Sequence, residues 1–80
     1  MDLIAYDGTY LIFVEVKYRA NHKSGWAISA VNKRKQQIIS RVAQFYLIRH
    51  GYGDIPCRFD VIGIDGDEIQ WIQNAFDYCG

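Results

Sequence analysis

The chain has 80 residues, half of them apolar, with nine basic and nine acidic side chains and a formal net charge of zero. That length suits one small domain over residues 1–80, and the apolar content excludes a disordered tail. No apolar run reaches transmembrane length, the amino-terminal residues show no basic-then-apolar signal pattern, and the zero balance confines any nucleic-acid-binding surface to a local cluster. The expected location is the cytoplasm.

Residues 2–6 and 10–18 read as two strands around Asp7-Gly8, a hairpin signal. With Asp7 and Gly8 as a two-residue turn, Tyr6 faces Thr9 and Asp2 faces Phe13, diagonally beside Glu15. A three-residue loop sends Asp2 to the other face. Within the second strand, Glu15 and Lys17 interrupt the apolar run Leu11-Ile12-Phe13-Val14 and its continuation. Residues i and i+2 of a strand share a face, so these two charges point the same way. A strand built only for packing has no use for them, because a charged pair there has a desolvation cost.

Residues 19–31 show no sustained period and read mainly as loop, with Trp26 expected to anchor that loop to the core and His22 solvated. Asn32 is the expected N-cap of a helix over 32–50, with Ile38, Val42, Phe45, Tyr46 and Arg49 as its buried stripe and His50 in its last turn. Gly51 and Gly53 end the helix, and Pro56 keeps it from resuming. A third strand spans 57–64, where Arg58 and Asp60 are expected to form a local ion pair. Asp65-Gly66-Asp67 turns the chain into a fourth strand over 68–73. Strand, helix, strand with a long connection implies a parallel crossover, hence an α/β mixed sheet with one main helix. Cys57 and Cys79 form no metal or redox motif and are expected as free thiols.

Two groups of residues carry chemistry. Asp2 and Glu15 offer hard oxygen ligands for Mg2+ or Mn2+, with the Val16 carbonyl as a third. Such an ion polarises a phosphodiester oxygen and lowers the pKa of a bound water. Lys17 would orient that water or offset charge developing on the phosphate. The plainer alternative is a partly exposed ion pair on the sheet surface. The second group is Lys33-Arg34-Lys35, three cations in the first helical turn, where the helix dipole already presents positive charge. A docking phosphate gives that arrangement a purpose, through backbone N–H groups and side chains together. Gln36 follows on the same helix start, within reach of the metal-bound water or a phosphate.

Taken together, Asp2-Leu3-Ile4-Ala5, Phe13-Val14-Glu15-Val16-Lys17, Lys33-Arg34-Lys35-Gln36, Arg58-Phe59-Asp60-Val61 and Trp71-Ile72-Gln73-Asn74-Ala75-Phe76 resemble the YraN-like uncharacterised protein family. That family is regarded as endonuclease-like, distantly similar to archaeal Holliday-junction resolvases and to the PD-(D/E)XK restriction-endonuclease superfamily. The resemblance implies a restriction-endonuclease-like mixed sheet, a divalent metal and a nucleic-acid substrate. By position it makes Asp2 and Glu15 metal ligands, Lys17 the catalytic lysine and Gln36 an auxiliary catalytic residue. Family members normally carry a helix and a strand before the Asp-Leu-Ile segment, and the helix offers the metal a further acidic residue. A chain without them is expected to have an open strand edge along 2–6, which favours homo-oligomers.

The leading expectation is therefore a metal-dependent endonuclease-like hydrolase acting on DNA, with branched or repair intermediates among its candidate substrates. The alternative is a non-catalytic nucleic-acid-binding or oligomerisation module with an incomplete nuclease site, and a plain protein-interaction domain stands behind both.

Overall fold

Two glycine turns and one long crossover build the sheet. The computed structural model describes residues 2–18, 27 and 30–79, in which the elements are β1 (Leu3–Asp7), β2 (Tyr10–Tyr18), α1 (Lys33–Arg49), β3 (Cys57–Asp65) and β4 (Glu68–Phe76). The strand order β1-β2-β3-β4 follows the sequence. The two hairpins are antiparallel and the central β2–β3 pair is parallel, as the crossover requires. This is the expected mixed sheet with one main helix, the arrangement of a restriction-endonuclease-like core. Most of the expected 19–31 loop, with His22 and Trp26, lies outside the described residues; Ala27 and Val31 within it are buried in the core.

The first hairpin differs from its expected register. Asp7 pairs with Tyr10, so the turn residues are Gly8 and Thr9 rather than Asp7 and Gly8. Gly8 has φ +62 and Thr9 is not in the left-handed region, the pattern of a turn with glycine at its first central position. Asp65 pairs with Glu68 around Gly66, φ +59, by the same construction. Tyr6 therefore faces Leu11, and continuing the ladder brings Asp2 opposite Glu15 instead of Phe13. Moving the turn by one residue shifts every pairing by two, so each side chain keeps its face.

The helix starts and stops as its end residues dictate. The Asn32 side chain accepts the Lys35 N–H at 2.9 Å. At the other end Gly51, φ +67, donates to the Ile48 carbonyl and Tyr52 to that of Leu47, a paired closure that only a left-handed residue permits. Of its expected stripe, Tyr46 packs against the core, whereas Ile38, Val42, Phe45 and Arg49 are exposed. Ile39, Ser40 and Ala43 face the sheet, with Tyr46 and Leu47 beside them. Ile38, Val42, Phe45 and Ile48 are 48, 47, 64 and 72 % exposed. The helix is apolar on two faces, and periodicity alone cannot say which one meets the sheet.

The core lies between α1 and one sheet face, where Leu11, Phe13, Phe59 and Val61 meet Ile39 and Ala43. Phe13 and Phe59 stack at 5.7 Å, and Phe59 and Phe76 at 4.9 Å. Strand alternation places Glu15 and Lys17 on this same face, beyond Phe13.

On the opposite face sits the Arg58–Asp60 pair, as expected. Asp60 is 1 % exposed and accepts from Arg58 Nε at 3.1 Å, Trp71 Nε1 at 2.9 Å and Asn74 N at 2.9 Å. Between the Phe59–Phe76 and Val61–Ile72 pairs, residues 73–75 of β4 face Asp60 alone. Asn74 in that bulge has φ +51, and the Asp60 carboxylate takes the N–H that the bulge leaves without a ladder partner. A second hydrogen bond, Arg58 Nη1 to Asp7 Oδ2 at 3.2 Å, ties β3 to the first hairpin across β2.

Candidate metal and phosphate site

The carboxyl-terminal end of β2 gathers most of the expected site residues. Glu15 is 5 % exposed, and Lys17 Nζ lies 3.0 Å from its Oε2. The expected pair therefore exists, but its acid is buried rather than lying on an open surface. On the parallel neighbour, Val61 stands beside Glu15 and Gly63 beside Lys17, so β3 brings neither residue an adjacent charge. Asp2 enters from the other side of β2. Its N–H donates to the Val14 carbonyl at 3.0 Å, and its Oδ2 accepts the Val16 N–H at 2.7 Å. Val16 thus positions the Asp2 carboxylate through its own amide.

The helix start arrives over the same end of the strand. Lys35 Nζ lies 3.9 Å from Glu15 Oε2, so this lysine is part of the carboxylate's own surroundings. Sequence reasoning grouped Lys35 with the phosphate-contacting cations and missed its place at Glu15. The available signal was its phase: Lys35, Ile39 and Ala43 repeat at four-residue spacing on the sheet-facing side of α1. Lys33 and Arg34 are exposed and pair with no carboxylate among the described residues. The first turn of α1 contains no acid to balance them. Gln36 donates its amide N–H to the Val31 carbonyl at 3.0 Å, which ties the helix start to the residues before it.

Electrostatics keep the pair charged. Burial pushes the Glu15 carboxyl up, but hydrogen bonds and positive charge around it, including those of Lys17, more than offset this and hold it below its ordinary value. The hydrogen bond to Glu15 raises Lys17, against the smaller effect of its own desolvation. Glu15 and Asp2 are hard oxygen donors on facing strands. No group of three His, Cys, Asp or Glu side chains suited to a metal occurs among the described residues. Two carboxylates fit Mg2+ or Mn2+ better than Ca2+ or Zn2+, because Mg2+ is commonly held by one or two carboxylates, with water and substrate phosphate completing its shell.

A cavity of about 320 Å3 lies elsewhere, between α1 and the amino-terminal end of β3, lined by Phe13, Leu47, Phe59, Phe76 and Tyr78 among others. It contains none of the site residues. Cys57 on its wall donates to the Ile55 carbonyl, and burial pushes its thiol up, so it stays protonated. Cys57 and Cys79 are both free, as expected.

Residues 1–64 match the sequence profile of the uncharacterised protein family UPF0102. The chain belongs to that family. A UPF0102 protein of Pseudomonas fluorescens is 44 % identical over 80 residues, covering 96 % of this chain and 67 % of its own length. One from Nitrosomonas eutropha is 49 % identical over 78 residues, covering 96 % of this chain and 66 % of its own length. A third, from Klebsiella pneumoniae, is 41 % identical, with 95 % of this chain and 61 % of its own length covered. The UPF0102 chain thus spans about two thirds of these relatives' length. Asp2, Glu15, Lys17, Lys35 and Gln36 all fall inside the profile match, whereas β4 lies outside it. No helix among the described residues is long and apolar enough to cross a membrane.

Proposed function

We propose that this UPF0102 chain is the core of a metal-dependent endonuclease-like domain that acts on DNA in the cytoplasm. The observation that carries the reading is the buried Glu15 carboxylate, with Lys17 at 3.0 Å and Asp2 on the facing strand. Asp2 and Glu15 would hold Mg2+ or Mn2+, with the Val16 carbonyl as a further oxygen. Such an ion supplies Lewis-acid polarisation of a phosphodiester oxygen. Lys17 offsets charge on the phosphate as the bond breaks, and its anchoring on Glu15 fixes it in place beforehand. Lys33 and Arg34, exposed at the helix start, draw in the DNA backbone without reading sequence. Gln36 steadies the helix start beside the site.

The test is cleavage of linear and branched DNA with Mg2+ or Mn2+, by this chain and by a full-length UPF0102 relative. Cleavage that disappears in Lys17→Ala while DNA affinity stays within about twofold is the expected result, because the role of Lys17 arises mainly in the transition state. Undiminished cleavage by Lys17→Ala would remove the strand motif from the chemistry. The second reading, a non-catalytic nucleic-acid-binding or oligomerisation module, is favoured by the small ligand set, since only two carboxylates converge among the described residues. DNA binding without cleavage by either protein would decide for it.

A further inference from the structure

Glu15 has a conflict of duties. A carboxylate that is to hold a divalent cation already has one ammonium at 3.0 Å and a second at 3.9 Å, both on Oε2. Asp2 spends Oδ2 on the Val16 N–H. Two lysine ammoniums already stand against the two carboxylates, and the helix start adds positive potential. A cation approaching alone meets repulsion on the side where its ligand points.

The two lysines are not equally held. The Lys17 side chain is 25 % exposed and in close contact, whereas that of Lys35 is 42 % exposed and at the longer distance. The Lys35 backbone is pinned by the Asn32 cap, so its side chain can swing without disturbing the helix. A phosphodiester over the helix start is the natural alternative partner for that ammonium.

Resting on the nuclease reading, we infer that Lys35 couples the two ligands of the site: it covers Glu15 until a DNA phosphate draws it away, so that metal and DNA bind with positive cooperativity. The phosphate acts twice, withdrawing a competing cation from Glu15 and adding an oxygen to a two-carboxylate shell that is incomplete without it. By linkage the metal strengthens DNA binding by the same factor. Lys35 is thus a positioning residue, acting through Glu15.

The experiment is a Mn2+ titration read by electron paramagnetic resonance, with and without a saturating short DNA duplex. Mn2+ taken up by the duplex itself is subtracted using Glu15→Gln with the same duplex. In the wild type the duplex should raise Mn2+ affinity by about 5- to 150-fold, the usual span of two-site coupling. Lys35→Gln should bind Mn2+ several-fold more tightly than the wild type without DNA, and the enhancement should fall to within about twofold. Lys35→Arg, which keeps the charge, should restore the wild-type pattern. Lys33→Ala should need more duplex to saturate but show full enhancement. Unchanged Mn2+ affinity in wild type on adding DNA, or full enhancement in Lys35→Gln, overturns the coupling and leaves the nuclease reading standing. Absence of any Glu15-dependent Mn2+ binding, with or without DNA, overturns the nuclease reading itself.

Discussion

Replacing Asp60 with alanine removes the carboxylate that accepts from three residues across β3 and β4. Its side chain is fully buried and accepts from Arg58 Nε and Nη2, Trp71 Nε1 and Asn74 N. Taking away one partner of a buried, hydrogen-bonded charge pair costs roughly 3–5 kcal/mol. Two features move this case to the lower end: Arg58 keeps Asp7, and the half-exposed Trp71 indole can turn to water. The expected loss is therefore about 3 kcal/mol, against a total of about 4–12 kcal/mol for a domain of this size. Asp60→Asn keeps the shape and one acceptor oxygen, so its loss should be about half as large, near 1.5 kcal/mol. Urea unfolding followed by circular dichroism measures both, and Trp71 fluorescence should shift with the freed indole N–H. A loss under about 1 kcal/mol for alanine would mean that the bulge is held by packing and that the Asp60 network is incidental.

Three other outcomes are expected. Lys33→Ala with Arg34→Ala should weaken DNA binding at every sequence and lower the salt dependence of log K by about two, measured by fluorescence anisotropy across a salt series. Gly8→Ala and Gly66→Ala should each cost about 1–2 kcal/mol, because both glycines hold a left-handed backbone, and no Cβ contact offers an additional cause. The Glu15–Lys17 pair should leave a signature in thermal melts against pH. Glu15 is lowered, so its contribution is full above the ordinary 4.5 and fades as the pH drops through the lowered value. Lys17 is raised, so its contribution is full below the ordinary 10.5 and fades as the pH climbs through the raised value. The stability difference between wild type and Glu15→Gln should thus shrink in acid, as Glu15 protonates, and again in strong base, as Lys17 loses its proton. A difference that stays unchanged as the pH falls through the acid range would contradict the Glu15 shift.

The sheet, its parallel centre and the capped helix were legible because each rests on local chemistry: β-rich runs, Asn32 ahead of the helix, Gly51 behind it. The turn position was less so. Asp7-Gly8 is a favoured central pair, and Gly8-Thr9 is a different turn that also needs glycine, so the dipeptide fixes the presence of a hairpin more firmly than its register. The site survived that difference because a shift of two preserves faces. The helix stripe failed for another reason. Ile38, Val42 and Phe45 keep as good a period as Ile39, Ala43 and Leu47, and the small Ser40 and Ala43 let that second face approach the sheet. Sequence reasoning reads Lys35 as a phosphate contact and misses its place at Glu15, because that partner is remote in sequence, on a strand that the helix reaches only when it packs on the sheet.

That crossover also sets when the site can exist. Leu11 pairs with Cys57 and Tyr18 with Ile64, so every rung of the β2–β3 ladder closes the same long loop. The two hairpins and the helix can form from neighbouring residues, whereas this central pairing bears the entropy of loop closure before any rung rewards it. The β1–β2 hairpin alone brings Asp2, Glu15 and Lys17 together, but Lys35 reaches Glu15 only once α1 has docked. Asp2, Glu15 and Lys17 are thus joined by short-range pairing, whereas the Lys35 contact depends on the longest loop closure in the fold.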